Sequence, residues 1–244
     1  AGAAAGLAVE EASAAGAAIS EEEAPVATGK RALLSAEERA RITQAVQEAE
    51  RQTNAEIVPM IVARSGLYRD AQHGAGLIAA LSTLAAMVTF EALWLPWGWH
   101  VSNAAWLLLA VTLAYVGGTW IGTLPPVIRL LTSPARMRHK VVLRAERAFA
   151  QQAVSQTRER TGVLIMLSML ERQIYVLPDR SLAGLVSVER WKQVVQAAVE
   201  RLQGGDMADG LVRAIEACGA ILAEVCPNRP GDNPNELPDD VIQE

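Results

Sequence analysis

Two long apolar segments dominate the pattern of hydrophobic and polar positions along the chain. The first runs from about Gly76 to Leu95 and the second from about Ala104 to Leu124, and only PWGWHVSN separates them from each other. Each is close to the ~20 residues that an α-helix needs to cross the hydrocarbon core of a bilayer. We therefore predict a two-helix transmembrane hairpin over residues 74–124, with the flanking parts of the chain in one compartment. The alternative is a buried hairpin inside a large soluble core.

A helix and a strand are predicted before the hairpin. Ser35 and Glu38 have the spacing of a capping box, which begins a helix that runs to about Gln52. The segment Ala55–Arg64 is rich in Ile and Val and predicts a strand. Pro59 within that strand favours an edge position or a bulge.

Helices and strands alternate after the hairpin. A helical period from about 136 to 160 precedes the continuous apolar run Val163–Leu170, which is typical of a strand covered on both faces. A turn at 171–172 leads to a returning strand at 173–177, and helices follow at 187–203 and 206–225. Strand 55–64 leaves its backbone groups unpaired unless it joins the later strands. We therefore predict one α/β domain, in parts 33–66 and 135–226, that the hairpin interrupts.

Both ends of the chain differ in composition from this domain. Residues 1–32 are rich in Ala and Gly and then acidic, without the large apolar side chains that a core requires. They lack the basic start and compact apolar run of a signal peptide. Residues 227–244 are rich in Pro and acidic residues. We predict a low-complexity N-terminal tail and an extended C-terminal tail.

The charge distribution sets the orientation of the hairpin. The formal net charge is -5, but five acidic residues lie within the first 23 positions and the rest of the chain is balanced. Such a balance argues against a nucleic-acid partner, because nucleic-acid binders carry a basic excess on one face. Lys and Arg flank both apolar segments and are absent from the loop between them. The positive-inside rule then predicts cytoplasmic N- and C-termini, in a bacterial inner membrane. Cys218 and Cys226 are predicted to be free thiols, as in a reducing compartment.

Four stretches of the chain resemble the TPM domain family. They are LSAEERARITQAVQEAERQTNAEIVPMIVARS, RTGVLIMLSMLERQIYVLPDRSL, ADGLVRAIEACGAILAEVCP and GDNPNELPDD. They resemble a bacterial subgroup in which a hairpin interrupts the domain after its first strand. The resemblance implies a small mixed sheet flanked by helices. Family members include acid phosphatases, calcium-binding proteins and proteins tied to photosystem II repair. The predicted cytoplasmic domain departs from that pattern, and no catalytic residue is carried over.

Candidate metal ligands are few in the sequence. Asp179 lies at a predicted strand end, where sites of α/β sheets often form. We consider Glu171, Asp206 and Asp209 as the carboxylates that would lie near Asp179. Of these four residues, Asp179, Asp206 and Asp209 are weak candidates for metal ligands. The alternative is that these residues are ordinary turn and helix-cap residues, and we favour it. We find no phosphate-binding loop, and we predict no cofactor.

Other candidates lie in or beside the hairpin. Tryptophans are enriched at membrane interfaces, and the candidates are Trp94, Trp97, Trp99, Trp106 and Trp120. Basic side chains that follow the second segment are candidates for lipid headgroups: Arg129, Arg136, Arg138 and Lys140. Glu91 and His100 are candidates for contact with a partner. For His100, ligation of a haem or chlorophyll metal is one alternative, and a place in the interfacial belt of its neighbouring tryptophans is the other, which we favour.

Three functional hypotheses follow from these patterns. The first is a non-catalytic accessory, assembly or stabilising subunit of a larger membrane protein complex, for which a photosynthetic complex is one candidate by family analogy. The second is a membrane-anchored phosphatase or metal-dependent hydrolase. The third is a self-associating membrane scaffold. We favour the first, which makes the lipid bilayer and a membrane complex the predicted partners.

Overall fold

The computed structural model of the chain describes residues 33–90, 101–202, 207–228 and 236–244. The chain divides into two compact units. The sheet unit combines the chain up to Ser65 with His139–Glu244, and the hairpin unit is Gly66–Arg138. The predictions for six residues fall outside the described parts of the chain: Glu91, Trp94, Trp97, Trp99, His100 and Asp206.

The elements follow one another as an alternation of helices and strands around the hairpin. In chain order they are α1 (Ala36–Glu50), β1 (Ile57–Val62), α2 (Arg69–Thr89), α3 (Val101–Ile121), α4 (Pro125–Leu131), α5 (Pro134–Gln151), β2 (Val163–Ser168), β3 (Gln173–Pro178), α6 (Arg180–Ala183), α7 (Val188–Leu202), α8 (Met207–Val225) and β4 (Ile242–Gln243). The predicted capping box is present, because the side chain of Ser35 accepts from the backbone N–H of Glu38 and the Glu38 side chain accepts from that of Ser35.

Four strands form one mixed sheet in the order β3-β2-β1-β4. β1 runs parallel to β2 and to β4, whereas β3 runs antiparallel to β2. The strand before the hairpin therefore pairs with a strand after it. The predicted fold class, a small mixed sheet flanked by helices, is confirmed.

β1 is an interior strand, although Pro59 favoured an edge. The reason lies in the short length of β4, which pairs only with Met60 and Ile61 of β1. Ile61 and Ala63 exchange backbone hydrogen bonds with Glu244 on that side. Alternate residues of a strand point their backbone groups to the same side, so the nitrogen of Pro59 also faces the β4 side. It lies before the two-residue ladder begins, where its missing N–H breaks no pair.

Two apolar clusters cover the two faces of the sheet. On one face, Ile57, Ile61 and Ile165 pack with buried residues of α1, α7 and α8. On the other face, Val58 and Met60 join buried residues of β2 and α5. Successive strand residues point to opposite faces, and β1 and β2 are buried throughout. This double cover explains why both strands read as unbroken apolar runs.

The helix predicted over residues 136–160 ends earlier, at Gln151. Ala153 adopts a left-handed conformation with φ 54°, which stops the helical ladder, and a single 3-10 turn follows over Val154–Gln156. The side chain of Val154 is buried in the cluster beneath α5. The chain therefore turns to bury this valine instead of continuing along the apolar stripe.

The hairpin unit contains two long antiparallel helices, α2 and α3. The first starts at Arg69, seven residues before the predicted apolar segment. Its first two turns are largely polar, so the apolar pattern alone did not include them. The second spans 21 residues. By length and composition, both helices are able to cross a membrane. A separate short helix, α4, follows the second and begins with two prolines, which are favoured in the first turn of a helix.

Candidate functional site

The outer surface of the hairpin unit is apolar and exposed. Trp106 is 69% exposed and Trp120 is 74% exposed. Fourteen residues of helix separate these two tryptophans by about 21 Å, so they lie near opposite ends of α3. Exposed large apolar side chains of the two helices also include Leu77, Ile78, Leu81, Leu108 and Leu113. A continuous apolar surface of this kind marks contact with lipid or with another protein.

The inner surfaces of α2 and α3 meet through small residues. A Cβ added to Gly118 would lie 2.7 Å from the Cβ of Ala79 and 2.8 Å from the carbonyl oxygen of Ala75. Small residues allow this close approach between helix backbones, as in membrane helix pairs. The ring nitrogen Nδ1 of His73 also lies 3.0 Å from the hydroxyl of Tyr115 across the pair. The two helices therefore pack as a specific pair.

The predicted headgroup residues lie on α4 and α5. Arg129 belongs to α4, and Arg136, Arg138 and Lys140 belong to α5. In the hairpin unit, Nη1 of Arg136 lies 2.9 Å from Oδ2 of Asp70, in an exposed ion pair. Contact of these four basic residues with lipid headgroups stays a prediction.

The structure does not bring Asp179 and Asp209, the two candidate metal ligands that it describes, together. Asp179 is buried and caps α6, where its Oδ1 accepts from the backbone N–H of Arg180 at 2.5 Å. Asp209 forms an ion pair with Arg41 instead. Glu171 lies at the opposite end of the β2–β3 ladder from Asp179, roughly 17 Å away along the strands. Among the described residues, no group of three or more His, Cys, Asp or Glu side chains is placed to hold a metal ion.

A buried carboxylate closes the carboxyl end of the β1–β2 pair. The Oε1 of Glu171 accepts from the backbone N–H of Ser65 at 3.0 Å, and its Oε2 accepts from the hydroxyl of Ser168. Because Ser168 donates its proton to Glu171, the hydroxyl of Ser65, 2.7 Å away, must donate to Ser168. The sequence predicted only a turn at Glu171. It gave no signal for Ser65, whose contacts with Ser168 and Glu171 are long-range, or for Ser168, which lies within an apolar run.

Two further carboxyl groups lie before β1, at its amino end. Glu50 accepts from the backbone N–H of Ile57 at 2.9 Å. Burial raises the pKa of Glu50 to about 8, and the charges of Glu56 and Asp239 add to this effect. Burial likewise raises the pKa of Glu56, although its carboxylate accepts from the backbone N–H groups of Glu236 and Leu237. The sequence signals this pair of carboxyl groups only through Glu56, which directly precedes the apolar strand β1.

The two cysteines are free thiols, as predicted. Cys218 is fully buried, and burial raises the pKa of its thiol to about 12. A thiol of this kind is inert, because the thiolate is the reactive form.

The fold and its insertion define a class of protein, a mixed α/β domain that carries an apolar helical hairpin after its first strand. Residues 128–221 match the family model described as TPM domain. This match over residues 128–221 confirms the resemblance to the TPM domain family that the sequence shows.

One solved structure shares this fold. The NMR structure of BA42 protein from the psychrophilic bacterium Bizionia argentinensis is 18% identical, with a TM-score of 0.54. The match covers 88% of this chain and 99% of that chain. At this identity the likeness shows the fold alone. No curated protein matches the chain.

Proposed function

We propose that this protein is a membrane-anchored accessory, assembly or stabilising subunit of a larger membrane protein complex, without catalytic activity. The observation that carries the proposal is the exposed apolar outer surface of α2 and α3, beside a tightly packed inner surface. Such a surface is stable only when lipid or other helices cover it. The hairpin then holds the TPM domain at the membrane, where it is available to partners.

The proposed location is a bacterial inner membrane with both termini in the cytoplasm. The support is the distribution of Lys and Arg, which flank the hairpin and are absent from its loop. The two free cysteines agree with a reducing compartment. Trp106 and Trp120 would lie at the two interfaces of the bilayer.

One observation favours a membrane-anchored hydrolase as the second candidate. Carboxyl groups with strongly raised pKa values cluster at functional sites more often than elsewhere. Glu50, with a pKa of about 8, and Glu56 form such a pair at the amino end of β1. A structural role accounts equally for both, since each accepts hydrogen bonds from backbone N–H groups that fix β1 or the C-terminal segment.

Native purification in a mild detergent tests the proposal. The full chain is extracted from its source membrane, separated by size, and each peak is analysed by absorbance and protein identification. Stoichiometric migration with other membrane proteins supports the subunit proposal. Migration as a homo-oligomer favours the self-associating scaffold, and migration alone overturns the subunit proposal.

A hydrolase assay then separates the remaining candidates. Phosphate release is measured with and without calcium or magnesium for the native chain and for two variants. Glu50→Gln alters the buried carboxyl group, and Glu48→Gln alters an exposed one on the same helix. Loss of activity in the first variant alone supports the hydrolase, and no release from any form excludes it under these conditions.

A further inference from the structure

Helix α4 presents an apolar face that the hairpin unit leaves exposed. Leu130 is 84% exposed, and Leu124 and Leu131 are exposed as well. Ile128, by contrast, is buried, and the helix packs against α2. At about 100° per residue, Leu130 lies roughly opposite Ile128, whereas Leu124 (40% exposed) and Leu131 (37% exposed) flank the packed side.

This face continues the apolar surface of α3. Trp120 and Ile121 are exposed at the end of α3, and α4 begins four residues after Ile121, at Pro125. Tryptophan is enriched at the level of lipid headgroups. The leucines of α4 therefore follow directly on the part of the hairpin that suits a membrane interface.

The charged residues of α4 and of the segment just after it are basic, and one of them, Arg136, pairs with Asp70 of α2. Residues 92–145 contain no Asp or Glu, whereas Arg129 lies on α4 and Arg136 and Arg138 follow it. Short helices that combine an apolar face with basic residues lie in the plane of a membrane interface, and their binding grows with the content of anionic lipid.

We propose that α4 is an interfacial helix that binds anionic phospholipid, with Leu130 at the boundary between headgroups and acyl chains and Arg129 at the headgroup phosphates. This inference rests on the proposed membrane anchor and adds a lipid-binding surface outside the two spanning helices. We do not expect α4 itself to span the hydrocarbon core, because its seven residues are far fewer than the ~20 that spanning requires.

Site-specific fluorescence in vesicles tests the inference. Single cysteines carrying an environment-sensitive fluorophore are placed in the full chain at Leu130→Cys on α4, at Leu113→Cys in the middle of α3, and at Leu185→Cys in the sheet unit. Leu113 and Leu185 are matched controls, since each is 61% exposed. The background is Cys226→Ser, and the buried Cys218, whose thiol pKa is about 12, stays unlabelled. Vesicles contain phosphatidylcholine alone or with phosphatidylglycerol, and nitroxide lipids quench at headgroup depth or at acyl-chain depth.

The expected result is a depth series. The label at 113 is quenched by acyl-chain nitroxide and the label at 130 by headgroup nitroxide, with a blue shift that increases with phosphatidylglycerol and falls with added salt. The label at 185 shows neither effect. If 113 is quenched while 130 behaves like 185, the interfacial helix is wrong and the anchor stands. If none is quenched, the anchor fails and the inference fails with it.

Two other outcomes also overturn the inference. An equal blue shift in the emission of the label at 130 in both kinds of vesicle would show that anionic lipid has no role in binding. A blue shift that is present in detergent and insensitive to nitroxide lipid places another protein segment on the face of α4.

Discussion

At the scale of single residues, the carboxylate of Glu171 fixes the end of β1 to the turn between β2 and β3. It is buried, and it accepts hydrogen bonds from the backbone N–H of Ser65 and the hydroxyl of Ser168. Hydrogen bonds to a charged group contribute about 1.5–3 kcal/mol each. We expect Glu171→Gln to lower the free energy of unfolding by about 2 kcal/mol, because an amide satisfies these donors less well. Thermal unfolding followed by circular dichroism in mild detergent measures the change.

The matched control for this variant is Glu216→Gln. Glu216 forms an exposed ion pair with Arg213, three residues away on α8, and such pairs contribute roughly 0–1 kcal/mol. Its melting temperature should therefore stay close to that of the native chain. Equal effects of the two substitutions would contradict the role assigned to Glu171.

The buried carboxyl group of Glu50 predicts a dependence of stability on pH. The unfolded chain releases this proton near the ordinary pKa of 4.5, whereas the folded chain holds it to a pKa of about 8. Between these values the folded state binds more protons, so stability falls as the pH rises and changes little above 8. We expect a loss on the order of 2 kcal/mol across this window after allowance for partial solvent access.

Glu50→Gln should make this slope shallower and leave the part that Glu56 contributes, because the amide cannot ionise while its oxygen still accepts from the N–H of Ile57. Melting temperatures at intervals from pH 5 to pH 8.5 compare the variant with the native chain. Glu48→Gln, which alters an exposed group, should retain the native slope. A native chain equally stable at both ends of the range would show that Glu50 does not titrate in this way.

At the scale of elements, the contact between α2 and α3 depends on a glycine that faces the partner helix. A Cβ at Gly118 would lie 2.7–2.9 Å from atoms of three residues of α2, whereas a Cβ at Gly117 meets nothing within 4 Å. We therefore expect Gly118→Ala to lower the thermal stability of the helix pair by about 1–3 kcal/mol, as overpacking does. Gly117→Ala should be neutral or stabilising by up to about 1 kcal/mol, because alanine is the better helix former. Loss of helical circular dichroism on heating in detergent distinguishes the two, and equal melting curves would contradict the close packing.

The elements also show what local pattern predicts and where it fails. The capping box at Ser35 and the apolar runs of β1 and β2 are properties of neighbouring residues, so their elements could be predicted from the sequence. Long-range packing decides the rest. α5 ends early at the left-handed Ala153, after which Val154 is buried, and Pro59 fits an interior strand because β4 is only two residues long. The contacts of Ser65 with Ser168 and Glu171 join positions more than 100 residues apart, which no sequence window contains.

At the scale of the whole molecule, both ends of the hairpin unit return to the sheet unit. β1 precedes the hairpin and β2 follows it, and these two strands pair in parallel. A chain that crosses a membrane twice between two paired strands must leave both strands on one side. The fold therefore agrees with a single compartment for the two strands, and the proposal that this compartment is the cytoplasm rests on the distribution of Lys and Arg.

Cysteine accessibility in spheroplasts tests this topology. His100→Cys introduces a thiol in the loop of the hairpin, and Leu185→Cys introduces one on the exposed surface of the sheet unit, each in the Cys226→Ser background. A membrane-impermeant maleimide should label position 100 in intact spheroplasts and position 185 only after lysis, because the bilayer separates the domain from the reagent. The reverse pattern would place the domain outside the cytoplasm, where the basic residues after α3 would contradict the positive-inside rule. Labelling of both positions before lysis would show that the hairpin does not span the membrane, and the anchor would then have to be a surface contact of α2 and α3.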